Sequence, residues 1–431
     1  MTTREQALEA AHRWINGALP AEGARPVHSH EFEHGWVVWP EPAPVHVNPF
    51  TAVRRAPEEI GAACAVVDRL TGALTVWPSV PVPDVVRMYR DFLGAGDYDP
   101  ALPPATGPGA RAALRYRDAL GEVQTLVVHS ATGLPHPALR AAERLREQGV
   151  PAEDVLGLHT DLRLAALPGG YAGHALAAAL PHVRPTHDLA YGPWFDGRAE
   201  AVRAVPPQEG VRPNRVPFPR SVPPAQPEGG RALAERLAAR FGPQGVRRFD
   251  AGAVEHADLP EAVARPLLEV GLPVAVEGFF ALHHPEQDGV HDGSATDAVL
   301  PDAAARLAAR LAALGGGTRA TADARQALLG QVVLGTDGWA LITVDTLQGR
   351  VRAVDPHTAA ARWCNADVTA FARCLALLAE RLPALRGLHP YAAGPAVAEL
   401  QWALAAVDRT VFTDPENWWA VIVEQLWHGL L

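Results

Sequence analysis

The chain reads as an α+β protein of several domains, and three observations predict it. Two Pro/Gly-rich stretches, residues 94–110 and 206–230, divide the apolar patterning into three blocks. The first and last blocks group short apolar strands between helical segments, whereas the middle block alternates strand and helix. The chain has 431 residues, 48% of them hydrophobic, enough to bury several cores. The expected organisation is a small α+β unit over residues 1–95, a three-layer α/β domain over 111–205, a semi-extended Pro-rich linker over 206–230 and an α+β domain over 231–431.

Charge and composition narrow the function classes. The 38 basic residues contain no lysine and face 48 acidic ones, a net charge of -10. By region the balance is -5 over residues 1–100, 0 over 101–205, +1 over 206–230 and -6 over 231–431. No region offers the basic field that nucleic-acid binding requires, so nucleic acid is not expected as a partner. Acidic end domains suit a basic protein partner, although solubility alone accounts for the same pattern. No apolar run approaches the roughly eighteen residues of a membrane span. The N-terminus lacks a basic start, an apolar stretch and a small-residue cleavage site, so a cytoplasmic location is expected. Cys64, Cys364 and Cys374 are too scattered for a disulfide framework or a zinc site and read as small core residues.

In the first block, Thr3 with Gln6 is a capping-box pattern. Ala7, Leu8, Ala11, Trp14 and Ile15 follow at helical spacing, and Gly17 can end the helix. Gly35-Trp36-Val37-Val38-Trp39-Pro40 reads as a buried strand. Ala65–Asp68 and Leu74–Trp77 read as strands joined by a turn containing Gly72. Asp84 can cap a helix presenting Val85, Val86, Tyr89, Phe92 and Leu93. Trp36, Trp39 and Trp77 read as packing residues. The Arg4-Glu5-Gln6-Ala7 start, the Gly35–Pro40 strand and Val66-Val67-Asp68-Arg69 leading into Thr71-Gly72 resemble the YrhB-like or Imm35 family of bacterial immunity domains.

In the middle block, Thr125–Val128 reads as a strand and Pro137–Gln148 as an amphipathic helix with Leu139, Ala142 and Leu145 on one side. Residues 155–158 lead towards His159-Thr160-Asp161. Pro168-Gly169-Gly170 opens a small-residue helix through Leu180, Val183–Tyr191 reads as a strand, and Trp194–Val202 as a helix. A zinc nucleobase deaminase needs a His two residues before a Glu, then two cysteines. On that frame His159 stands at the ligand place, Asp161 replaces the Glu, and Ala165 and Ala172 take the cysteine places.

His159-Thr160-Asp161-Leu162, the spacing to Leu167-Pro168-Gly169-Gly170-Tyr171, and Tyr191-Gly192 before Arg198 resemble the YwqJ-related deaminase domains of bacterial polymorphic toxin systems. The resemblance implies a deaminase fold with a vestigial pocket of His159, Asp161, Ala165 and Ala172. Catalytic zinc normally takes three protein ligands and a water. At most His159 remains, and without the metal the attacking water keeps a pKa of about 16 instead of about 7. Asp161 is also one methylene shorter than Glu. No catalytic residue, cofactor or metal is therefore expected, with His159 the residual metal candidate. His174, His182 and His187 are the neighbours from which a zinc site would have to be rebuilt. Alone, His159 reads as a hydrogen-bonded structural histidine and Asp161 as a cap or surface carboxylate.

The last block opens with a helix over Ala232–Phe241 and a strand over Phe279–His283. Residues 284–300 read as a loop before an Ala/Arg/Leu helix to Leu314. Gly315-Gly316-Gly317 is followed by Thr318-Arg319, not Gly-Lys-Ser/Thr, so it is no phosphate loop. Strands at 331–335 and 339–345 flank Asp337-Gly338, a hairpin signal, and 349–356 adds a strand. Three helices follow, beginning near Asp367, Ala396 and Pro415. Gly278-Phe279-Phe280, Asp337-Gly338, Asp355-Pro356, Phe371–Leu375 and Trp418-Trp419 resemble a SUKH-4 immunity domain. SUKH domains are associated with neutralising toxin nucleases and deaminases by binding. Trp418 and Trp419 read as core residues.

The expected function is a non-catalytic immunity protein that binds a protein partner, a basic toxin among the candidates. The alternatives are an active zinc-dependent nucleic acid or nucleotide deaminase with an unusual metal site, and a scaffold unrelated to toxins.

Overall fold

The capping box at the start of the chain forms as read: Thr3 Oγ1 accepts from the Gln6 amide, and the Gln6 side chain accepts from the Thr3 amide. It opens helix α1, Arg4–Asn16, which Gly17 ends. The computed structural model describes residues 2–17, 24–41, 46–47, 54–55, 64–93, 98–208, 210–283, 300–304 and 328–431. The helix expected up to Leu314, the Gly315–Gly317 triplet and the loop expected before them lie almost wholly outside the described residues. The chain is an α+β multidomain protein and divides into two units. No helix among the described residues is long and apolar enough to cross a membrane.

The first unit holds Met1–Tyr98 and Pro217–Ser221. Its antiparallel sheet runs β1 (Val27–Phe32), β2 (Gly35–Pro40), β3 (Cys64–Asp68) and β4 (Leu74–Trp77) in that order. Period two sends Trp36, Val38, Ala65 and Val67 to one face, where Ala7 and Ala11 of α1 bury against them. The opposite face carries Phe32 and Trp77 under helix α2, Val82–Phe92, with Tyr89 edge-on to both rings. Asp84 does not cap α2. The N-cap is Pro81, and Asp84 sits in the first turn, where a carboxylate still favours the helix dipole. Gly35 has φ 156, and a Cβ there would collide with the Val67 carbonyl across the ladder.

Asp68 is the polar anchor of this unit. Its Oδ1 accepts the Leu70 and Thr71 amides, and its Oδ2 accepts the Tyr89 hydroxyl at 2.5 Å and the Arg220 guanidinium at 2.8 Å. Burial opposes the charge, but Tyr89, these amides and Arg220 together hold the carboxyl below its usual range.

The second unit joins Asp99–Val216 with Val222–Leu431. Its first sheet has the order β8-β7-β5-β6, from β5 (Arg111–Arg117), β6 (Val123–His129), β7 (Val155–Leu162) and β8 (Thr186–Leu189). Strand β8 is parallel to β7, and the other pairs are antiparallel. Helices α3 (Pro137–Glu147) and α4 (Ala172–Ala179) cover one face, burying Ala112, Leu114, Val128, Leu145 and Leu176. The other face carries Arg111 and His159, with side chains 59% and 46% exposed, too polar to seat another helix. Helix α5, Phe195–Ala204, buries Ala201 with Leu162 and Tyr191 at the sheet end instead.

The second sheet is a six-stranded antiparallel meander: β9 (Ala275–Val276), β10 (Phe280–Leu282), β11 (Gln331–Thr336), β12 (Leu341–Asp345), β13 (Val351–Val354) and β14 (Ala361–Asn365). Helices α6 (Gly230–Phe241), α7 (Ala251–His256) and α8 (Glu261–Glu269) precede it, and α9 (Val368–Leu385), α10 (Pro390–Val407) and α11 (Trp418–His428) follow. The second of these last three begins at Pro390, six residues before the expected Ala396, because Pro suits the first turn. Residues 206–230 form no helix beyond Gly230, yet part of the stretch is buried. Asn214 is 2% exposed, and its side-chain amide donates to the Asp99, Leu102 and Pro103 carbonyls. Proline bars a ladder, not burial, once a side chain satisfies the backbone.

Replacing Asp68 by Ala leaves the Tyr89 hydroxyl and Arg220 without their buried partner, an expected loss of about 3 kcal/mol in urea unfolding at pH 7. Since the folded carboxyl titrates below the unfolded one, its stabilisation is present above the unfolded value of about 4 and fades as pH falls through the folded one. Acid titration of Asp68→Ala is therefore expected to run flatter than wild type below that pH.

Candidate functional site

Three chain segments of the second unit meet around a cavity of about 230 Å³. The first is the start of α3. His136 is its N-cap, and its Nδ1 accepts the Ala138 amide at 3.2 Å. Burial lowers the His136 pKa to about 4, so the ring is neutral at pH 7. The second is the loop from Arg163 to Tyr171 that carries β7 into α4. Gly169, Gly170 and Tyr171 all have positive φ, 97, 108 and 44°, which turns the chain sharply before Ala172 begins the helix. The third comes from the segments flanking the second sheet: Phe279, Leu382, Arg386, Gln425, Leu430 and Leu431 close the cavity from the other side.

The closure is welded by hydrogen bonds. Gln425 Nε2 donates to the Pro168 carbonyl at 2.7 Å, and the Gly133 amide donates to the Leu431 carbonyl at 2.7 Å. The Tyr171 hydroxyl and the Trp418 indole both donate to Asp337 Oδ2 at 2.8 Å. Asp337 Oδ1 takes the Trp339 and Ala340 amides, so Asp337-Gly338 forms the Asp-organised loop of the expected hairpin. Trp339 lies flat between His174 and His357, with ring centroids at 3.7 and 4.7 Å. Every residue of α11 is buried. Within it, Glu424 Oε2 receives Arg198 Nε of α5 at 2.8 Å, and neither side chain is more than 1% exposed. Burial works against the Arg198 charge, but Glu424 and Glu416 outweigh it and hold its pKa above the ordinary arginine value. Trp418 and Trp419 are core residues, both 0% exposed, and Cys64, Cys364 and Cys374 are buried thiols.

The four positions singled out in the sequence do not gather in one place. Ala165 and Ala172 line the cavity; His159 and Asp161 do not. His159 lies on the open face of β7, its Nδ1 3.0 Å from Thr186 Oγ1 and its Nε2 3.3 Å from Asp188. Asp161 accepts the Arg111 amide and guanidinium at 2.9–3.2 Å. His159 and Asp161, two residues apart on β7, share a strand face and do not line this cavity. His182 bonds the Val155 carbonyl, His174 stacks on Trp339, and His187 stands on β8. Among the described residues no group of three or more His, Cys, Asp or Glu could hold a metal ion.

The signature H-x-E…P-C-x-x-C offers the frame that was missed. Aligned on Pro168, it places Gly169 and Ala172 where cysteines would stand, and His136-Pro137-Ala138 where His-x-Glu would stand. Of these, His136, Gly169 and Ala172 line the cavity, and both stretches open helices. The signal was present in the sequence, but Asp161 imitates a shortened Glu and His-Pro-Ala does not.

Comparison with protein families supports this division of the chain. Residues 5–96 match the Immunity protein 35-like domain, 107–204 the Xanthomonas-like deaminase and 232–425 the SUKH-4 immunity protein. The chain thus carries two immunity-type segments around a deaminase-like one, in the order expected. The deaminase matched is the Xanthomonas-like kind, where the sequence pointed to the YwqJ-related kind. No curated protein and no solved structure matches the chain.

A catalytic zinc, which a deaminase fold implies, does not fit these residues. Gly169 and Ala172 offer no donor atom, and a Cβ on Gly169 would collide with Leu431 Cδ1. Ala138 offers no carboxylate where the signature has its proton carrier.

Gly169→Ala is expected to cost about 1–3 kcal/mol in urea unfolding. Gly170→Ala, whose Cβ meets nothing within 4 Å, should cost less, and Leu431→Ala should erase the difference between the two. Glu424→Ala should cost about 1–3 kcal/mol by leaving Arg198 with Glu416 as its remaining carboxylate, whereas the double variant Arg198→Met/Glu424→Leu should recover most of that loss.

Proposed function

We propose that the chain is a non-catalytic immunity protein of a bacterial polymorphic toxin system, acting by binding a protein partner. Its deaminase-like segment is a pseudoenzyme that keeps the fold without the metal centre. The observation that carries the reading is the cavity at His136, Gly169 and Ala172, where the two cysteine positions have no donor atom and a Leu431 methyl lies where a Cβ on Gly169 would stand. Segments matching two immunity families, one on each side, support the binding role. The SUKH-4-like segment already covers the deaminase-like cleft within the same unit, so that segment serves as an internal scaffold. Acidic end regions, -5 over residues 1–100 and -6 over 231–431, favour a basic toxin as the partner.

The test pairs the purified full chain with toxin domains encoded beside its gene. A binding constant below micromolar for one of them, weakened by salt, together with growth rescue on co-expression, is the expected result. Ammonia release from cytosine or adenine nucleotides at an enzymatic rate, lost in His136→Ala, would replace this reading with an active deaminase. Failure to bind any of these toxins, with no ammonia released, would leave a scaffold unrelated to toxins.

A further inference from the structure

The cavity that no longer suits a metal has the physical character of a small-molecule site. Its walls are mainly apolar, with Leu134, Leu139, Phe279, Leu382 and Leu430 among them. At about 230 Å³ it exceeds the cavity of about 150 Å³ that is known to take up benzene. One aromatic ring with a short tail fills such a space. The lining also carries two guanidinium groups, Arg163 and Arg386. Arg386 is held only loosely by Glu277, at 3.9 Å with both side chains exposed, and Arg163 is exposed. Arg163 and Arg386 thus bring two basic side chains against one acidic side chain, Glu277, beside an apolar interior. His136 also belongs to the lining. Its Nδ1 is occupied by the Ala138 amide, so the neutral ring carries its proton on Nε2.

We propose that this cavity binds a small aryl carboxylate, the ring held among the apolar walls and the carboxylate by Arg163 and Arg386. A neutral ring gains the apolar contacts alone, and a bare small anion gains only screened surface charge. Because residues from both sides of the cavity enclose the ligand, binding stabilises the folded unit by linkage. The site is independent of whether the chain neutralises a toxin.

Calorimetry and thermal unfolding of the full chain with 3-phenylpropionate, 3-phenylpropan-1-ol and acetate test it. The acid is expected to bind once per chain and raise the melting temperature, the alcohol to bind about tenfold more weakly, and acetate to have no effect. Arg163→Gln, at an exposed position, should weaken the acid about tenfold while leaving the unliganded melting temperature unchanged. Ala172→Leu should abolish binding by filling the space, with Ala165→Leu as a second filling variant should the first not fold. No saturable binding of the acid at millimolar concentration, equal binding of acid and alcohol, or full affinity in both Arg163→Gln and a folded filling variant would overturn the proposal.

Discussion

The ion pair between Arg198 and Glu424 constrains the whole second unit. Two charges with almost no exposure survive only as partners, because burying either alone costs several kcal/mol. The pair ties α5 of the deaminase-like segment to α11 of the SUKH-4-like one, and α11 is buried along its length. Such a helix cannot face water on either side. The Tyr191 hydroxyl, 3.1 Å from His428 Nδ1, and the Asp337 cluster carry the same connection to either end of the joint. The deaminase-like and SUKH-4-like segments consequently share one core rather than touching through a soft interface.

From this joint follows the state of the deaminase-like cleft. Leu430 and Leu431, just beyond α11, line the cavity together with Gly169 and Ala172. Gly169 is the residue that tolerates their approach, both through its positive φ and through its missing side chain. Loss of donor atoms and closure by leucines are thus two aspects of one packing arrangement. Reversing it would require cysteines, a carboxylate and a displaced α11 end together.

Much of the fold was legible because local signals agreed with it. The Thr3 capping box, the largely buried β2 and the Asp367 cap of α9 each needed only short-range chemistry. Strand β1 was not, since Val27 and Phe32 are its only apolar residues and it borders the sheet. Strand β5 escaped because small alanines blur its alternation with arginine. The site was half legible. Ala165 and Ala172, singled out by their spacing from His159, line the cavity, whereas His136 was not singled out, because nothing in its local sequence marks it as more than a helix cap. The closing residues Gln425 and Leu431 lie more than 200 positions from the loop they meet, beyond the reach of any pattern.

The central proposal is that the deaminase-like cleft holds no catalytic metal. Zinc content of the full chain, purified in the presence of zinc and then passed over a chelating resin, tests it most directly. Far less than one zinc per chain, unchanged in His136→Ala, is the result the account predicts. One tightly held zinc per chain that disappears with His136→Ala would contradict it.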